Sequence, residues 1–198
     1  MENAFCEVAE GIYRLCVPFD TVYTSVFLIR TESKRILVDC ATTAEDVDAY
    51  IVPGLQRLGY RLDEIDMLVL THAHDDHAGG STRILALAPR IEIITDVRPL
   101  CDSLSTYPLA GHTNDSIGVL DLRTNTLLSG DGLQGAGVDK YRCCVRNKAA
   151  YLETLERIRN DLRVEHILFS HAYEPWYRDS VHGREAVCDC LKQCMEYV

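Results

Sequence analysis

The segment Thr71-His72-Ala73-His74-Asp75-Asp76-His77-Ala78-Gly79-Gly80 constrains this chain more than any other. It sets three histidines and two aspartates directly behind the apolar run Met67-Leu68-Val69-Leu70. A short unbroken apolar run reads as a strand buried on both faces. The fold must bury that strand and open a cluster of potential ligands at its end. His72 and His74 are two apart, so on extended backbone they project to one side, with Cα atoms about 6.6 Å apart. Imidazole nitrogens bind zinc at about 2.0–2.1 Å, so two such side chains can converge on one ion. Asp76 and His77 fall past the strand end and can face a second point. Gly79 and Gly80 are expected to give the backbone freedom to turn there and start a helix.

Two ions would need ligands from elsewhere, and candidates stand at later strand ends. His112 sits in Ala110-Gly111-His112-Thr113-Asn114-Asp115. Asp131 follows Leu127-Leu128-Ser129-Gly130, and His171 follows Ile167-Leu168-Phe169-Ser170. Strand ends and loops are where functional side chains concentrate. A carboxylate such as Asp131 can bridge two ions.

The rest of the chain alternates strands with helices. Strand-like pieces open it, followed by a hairpin of Ser25 to Arg30 and Arg35 to Cys40 around the polar turn at 31–34. Thr43 with Asp46 three residues on reads as a helix start, with the helix running to about Leu58 and Pro53 able to kink it. A short helix is expected around 81–88, a strand around 90–96, then a loop. A second hairpin is expected in 115–131. Ala149, Leu152, Leu155 and Ile158 stand at helical spacing, and 181–198 reads as a closing helix. This pattern predicts an α/β fold with two mixed sheets inside and helices outside. At 198 residues the chain fits one domain spanning 1–198.

Charge and cysteines narrow the classes. The net charge of -10 disfavours broad nucleic-acid binding, because phosphate backbones are repelled. No segment reads as a signal peptide or a membrane span, so the nine cysteines are expected to be reduced and the chain cytoplasmic, without membrane contact. Buried thiols act as small hydrophobes, which is the expected role of most of them. Cys190 and Cys194 share a face of the closing helix; Cys188 is poorly placed to join them. No four-ligand structural zinc set is visible. Cys143 and Cys144 are vicinal, and Cys40 lies beside Asp39.

The motifs His72-Ala73-His74-Asp75-Asp76-His77, Gly111-His112-Thr113, Gly130-Asp131 and Ser170-His171, in this order, resemble the metallo-β-lactamase fold superfamily of metallohydrolases. Ile36-Leu37-Val38-Asp39-Cys40-Ala41 is similar to the early family motif, whose aspartate, here Asp39, supports the site without ligating metal. The resemblance covers about residues 12 to 175. It implies a four-layer αββα sandwich and a dinuclear site. The implied ligands are His72, His74 and His112 for one ion and Asp76, His77 and His171 for the other, with Asp131 shared. Asp75 is the variable position of the motif. Two divalent ions are implied, zinc first; imidazole and carboxylate also suit iron and manganese.

The implied activity is hydrolysis of a small-molecule substrate by a metal-bound hydroxide, with Asp76 or Asp131 orienting it. A thioester or ester is expected first, a lactone second and a phosphodiester third. Only 27 residues follow His171, so a counterpart of the glutathione-binding helical domain of glyoxalase II is not expected. The histidine at 74 argues against the flavodiiron branch, which carries glutamate there. The stretch from His77 to His112 is short for the family. Lys140, Tyr141 and Arg142, with Arg146, are candidate contacts for an anionic substrate, and Trp176 is a candidate pocket wall. The alternatives are a mononuclear iron enzyme resembling persulfide dioxygenases, held by His72, His112 and Asp131, and a non-catalytic metal-binding module.

Overall fold

The computed structural model describes residues 4–134, 145–173 and 177–198. The chain divides into two compact units, Met1–Thr95 and Asp96–Val198, each built on its own six-stranded mixed sheet.

The first sheet runs in the order β1 (Cys6–Ala9), β2 (Ile12–Phe19), β3 (Val22–Arg30), β4 (Arg35–Val38), β5 (Met67–Val69), β6 (Glu92–Ile94). β1 to β4 pair antiparallel; β4, β5 and β6 pair parallel. Alternation sets the core. Leu15, Val17, Val26, Leu28, Leu37 and Leu68 pack with Val47, Ile51, Leu55 and Ile84 from the helices. Each such side chain contributes roughly 1.5–3 kcal/mol when fully buried. On the opposite face Ile12, Phe27, Ile29, Ile36, Val38 and Val69 are buried too, as a strand apolar on both faces requires.

The helix after β4 starts as expected, with a reciprocal capping box between Thr43 and Asp46. It passes from α1 (Ala44–Asp46) through a π turn (Val47–Ile51) into α2 (Val52–Arg57). Pro53 lacks the N–H that an α-helical bond back to residue 49 would use, and the turn before it is the widened one. Strand β4 stops at Val38, not Cys40, because Asp39 and Ala41 take left-handed backbone (φ 62 and 60).

The second sheet runs β12 (Ser180–His182), β11 (His166–Leu168), β10 (Thr126–Leu128), β9 (Ile117–Asp121), β8 (Leu104–Pro108), β7 (Pro99–Cys101). Only β10 and β11 pair parallel. Two long helices, α5 (Lys148–Asn160) and α6 (Arg184–Tyr197), pack on it through Tyr151, Leu155, Ile158, Val187, Cys190, Leu191 and Cys194. The buried face of α5 is rotated from the one apolar spacing suggests: Tyr151, Thr154, Leu155 and Ile158 are buried and Ala149 is exposed. Polar tips hid the true face. The Thr154 hydroxyl donates to the Ala110 carbonyl at 2.8 Å, and Tyr151 finds partners described below. The β7–β8 hairpin falls where the sequence predicts a loop, and β12 takes the first residues of the helix predicted over 181–198. Pro99, Asp102, Ser103, Ser105 and Pro108 dilute the apolar signal in the one case. In the other, three residues at a sheet edge are too few for a period.

Candidate metal centre

Parallel pairing explains where the first group of candidate ligands stands. Val38 of β4 is level with Val69 of β5, so Asp39 and the Thr71–His72 segment leave the sheet at the same end. Asp39 accepts from the Thr71 amide at 2.8 Å and its hydroxyl at 2.9 Å. Its Oδ2 lies 2.7 Å from Nδ1 of His77. Asp39 is 1% exposed and His77 wholly buried, so this contact is screened little by water. A carboxylate on Nδ1 fixes the proton there and directs Nε2 outward as a ligand.

The two-residue spacing brings His72 and His74 together as expected, with Nε2 of His72 2.9 Å from Nδ1 of His74. Ligand nitrogens of His72 and His77 lie within 4.8 Å of each other. Oδ2 of Asp76 is 3.4 Å from Nε2 of His77 and accepts from the Thr24 hydroxyl at 3.4 Å. Asp75 is exposed.

The loop geometry differs from the sequence reading at the glycines. A one-turn helix, α3 (Asp75–Ala78), already holds Asp76 and His77, and α4 (Ser81–Leu87) follows. Gly79 and Gly80 have ordinary negative φ values of -63 and -74. They are needed for close approach instead. A Cβ on Gly79 would lie 1.9 Å from the Thr42 carbonyl oxygen, and one on Gly80 2.2 Å from that of Cys40. Cys40 is buried, with its Sγ 3.3 Å from the His77 carbonyl. Burial, with the Asp39 charge adding, pushes its thiol far above the ordinary range, so it stays protonated and unreactive.

The second unit repeats the logic. Leu128 of β10 is level with Leu168 of β11, so Asp131 and His171 each follow three residues past a paired position. The β8–β9 turn carrying His112 lies at the same sheet end, since Pro108 pairs with Ile117 and Val119 with Leu128. The Asp131 carboxylate has Oδ1 3.3 Å from Nε2 of His171 and Oδ2 3.8 Å from Nε2 of His112. Each oxygen thus faces a different imidazole. All three residues are largely buried. Every donor in both groups is an imidazole nitrogen or a carboxylate oxygen, the set that divalent zinc, iron or manganese accepts.

Lys140, Tyr141 and Arg142 lie outside the described residues, as do Cys143, Cys144 and Trp176. Arg146 is exposed, and its amide donates to the Gly111 carbonyl at 2.9 Å. Nothing in the sequence pattern marks Thr24 and Thr71. Both are strand-end threonines whose role depends on partners more than thirty positions away.

Residues 19–89 match the family model described as the metallo-beta-lactamase superfamily. A beta-lactamase-like protein 2 homolog of Drosophila melanogaster is 30% identical over 75% of this chain. The chain spans 58% of that relative's length. Among solved structures, a metallo-beta-lactamase from Erythrobacter litoralis aligns at TM-score 0.72 and 20% identity, covering 97% of this chain and 96% of its own. The mono-zinc form of the metallo-beta-lactamase FIM-1 from Pseudomonas aeruginosa aligns at TM-score 0.73 and 19% identity, covering 98% and 94%.

Proposed function

Since the chain is a protein of the metallo-β-lactamase fold superfamily, we propose that it is a dinuclear metal-dependent hydrolase acting on a small thioester, ester or lactone. The observation that carries this reading is the Asp131 carboxylate, whose two oxygens face the imidazoles of His171 and His112 separately. That arrangement suits a ligand shared between two ions. In this reading His72, His74 and His112 would hold one ion and Asp76, His77 and His171 the other, with Asp131 available to both. Zinc is the metal proposed.

Bound divalent ions would supply a lowered pKa for water and polarisation of the electrophile. The chain's own residues do the rest. Asp39 holds the His77 ring in one orientation and keeps its proton on Nδ1. Thr24 steadies the Asp76 carboxylate, and either Asp76 or Asp131 would orient the attacking water. The acidic net charge supports a small substrate over a polyanion. No helix among the described residues is long and apolar enough to cross a membrane.

The test is elemental analysis of protein purified without added metal, beside a panel of thioesters, esters, lactones and phosphodiesters. Two ions per chain with hydrolysis of a panel member is the expected result. One iron per chain with oxygen consumption would favour the persulfide dioxygenase reading. Metal without turnover of any member would favour a binding module.

A further inference from the structure

Tyr151 is wholly buried on α5, yet it carries a hydroxyl that must be satisfied there. The Gln134 amide donates to that oxygen at 2.6 Å, and the hydroxyl donates to the Gln134 carbonyl. Gln134, 1% exposed, turns its own side-chain amide back onto the Asp131 carbonyl at 2.6 Å. The Asp131 loop is thereby tied to α5 by one phenol and one carboxamide. Burial pushes the Tyr151 phenol far above its ordinary range, so it remains a donor at any working pH.

The same residue meets the other ligand loop of its unit. Gly111, next to His112, lies against Tyr151: a Cβ there would be 2.7 Å from the Tyr151 Cα, Cβ and Cδ2. Its φ of +148 also favours glycine. The Gly111 carbonyl accepts from the Arg146 and Asn147 amides at 2.9 and 3.0 Å, at the start of α5. Gly132 in turn packs on Leu109, which a Cβ would approach to 2.7 Å. The His112 and Asp131 loops are therefore registered against one side chain.

We propose that Tyr151 is a positioning residue that fixes the spacing of the His112 and Asp131 loops and, through it, the affinity for metal. The consequence for metal rests on the function proposed above; the fixing of the loops does not.

Two measurements separate them. The first is amide hydrogen exchange on the chelator-treated protein. The second is zinc affinity by competition with a chromophoric chelator. Tyr151→Phe keeps the ring and removes the hydroxyl. It should speed exchange at the Gln134 amide while leaving 111–113, which meet ring and backbone atoms that phenylalanine keeps, protected, and it should weaken zinc binding about 10-fold. Gln134→Ala cuts only the Asp131 arm, so it should weaken zinc while leaving 111–113 protected. Ile158→Val, a core change on the same helix, should lower stability with neither local effect. Unchanged exchange in Tyr151→Phe, or an equal response in Ile158→Val, would overturn the positioning role. Faster local exchange in Tyr151→Phe, in a protein that takes up no zinc, would uphold the positioning role and sink the metal reading.

Discussion

Asp39 and His77 stand 38 positions apart, and Oδ2 of the one lies 2.7 Å from Nδ1 of the other. The contact decides which imidazole nitrogen is offered to a ligand. Asp39 does this from left-handed backbone, at φ 62. Only glycine, asparagine and aspartate tolerate that region readily.

Asp39→Asn therefore isolates the charge. It keeps the shape, the backbone tolerance and one acceptor oxygen. The protein should fold, with an unchanged circular dichroism spectrum. Zinc affinity should fall about 10-fold, because the imidazole loses its anionic partner. Equal affinities for variant and parent in a competition titration would deny Asp39 any part in tuning the ligand.

Asp131→Ala removes both oxygens that face His112 and His171. Bound metal per chain should drop and turnover should fall to background, while the protein stays folded. Elemental analysis beside kcat/KM on the best panel substrate reads both. Full activity would take Asp131 out of the site.

His171→Ala distinguishes two-ion from one-ion chemistry. On the proposed ligand set, metal content should fall from two per chain to one, with the ion assigned to His72, His74 and His112 retained. kcat/KM should drop on the order of 100-fold or more, because a lone ion clamps one side of the reacting centre. Unchanged metal and rate would move the mononuclear iron reading ahead.

Stability should fall in alkali for a reason outside the site. Burial, reinforced by the Asp161 charge, pushes the Tyr107 phenol up to about 12 from an ordinary 10.0. Its hydroxyl lies 3.3 Å from Asp161 Oδ2. A raised folded-state pKa gives stability that is complete below the unfolded value and lost as pH rises toward the folded one. The window is thus about pH 10 to 12. Tyr107→Phe should be less stable than the parent at pH 9, with the gap narrowing across that window in urea titrations. A constant gap would contradict the assignment.

The candidate ligand cluster was legible because its residues stand at strand ends, and the strands before them, such as Leu68-Val69 and Ile167-Leu168, are plain apolar runs. The same holds for the Thr43–Asp46 cap. Tertiary context hid the rest. Gly79 and Gly80 read as giving freedom to turn, but what they give is room for the carbonyls of Thr42 and Cys40. Tyr151 and Thr154 do not stand out among the apolar positions of α5 because their polar tips find buried main-chain partners that no spacing rule reveals. The β7–β8 hairpin was lost in prolines, serines and an aspartate, where the period-two signal fails.

The level pairing of Val38 with Val69 has a kinetic meaning. Parallel neighbours are joined by a long crossover, whose closure must precede the contact that rewards it. Until β4 and β5 are side by side, Asp39 has no Thr71 to accept from and no His77 to orient. The candidate ligands of the first unit would therefore be set in place by the sheet before any ion binds. Zinc added during refolding should leave the rate at which this unit folds unchanged and capture the chain only afterwards, as a lock that closes on a finished frame.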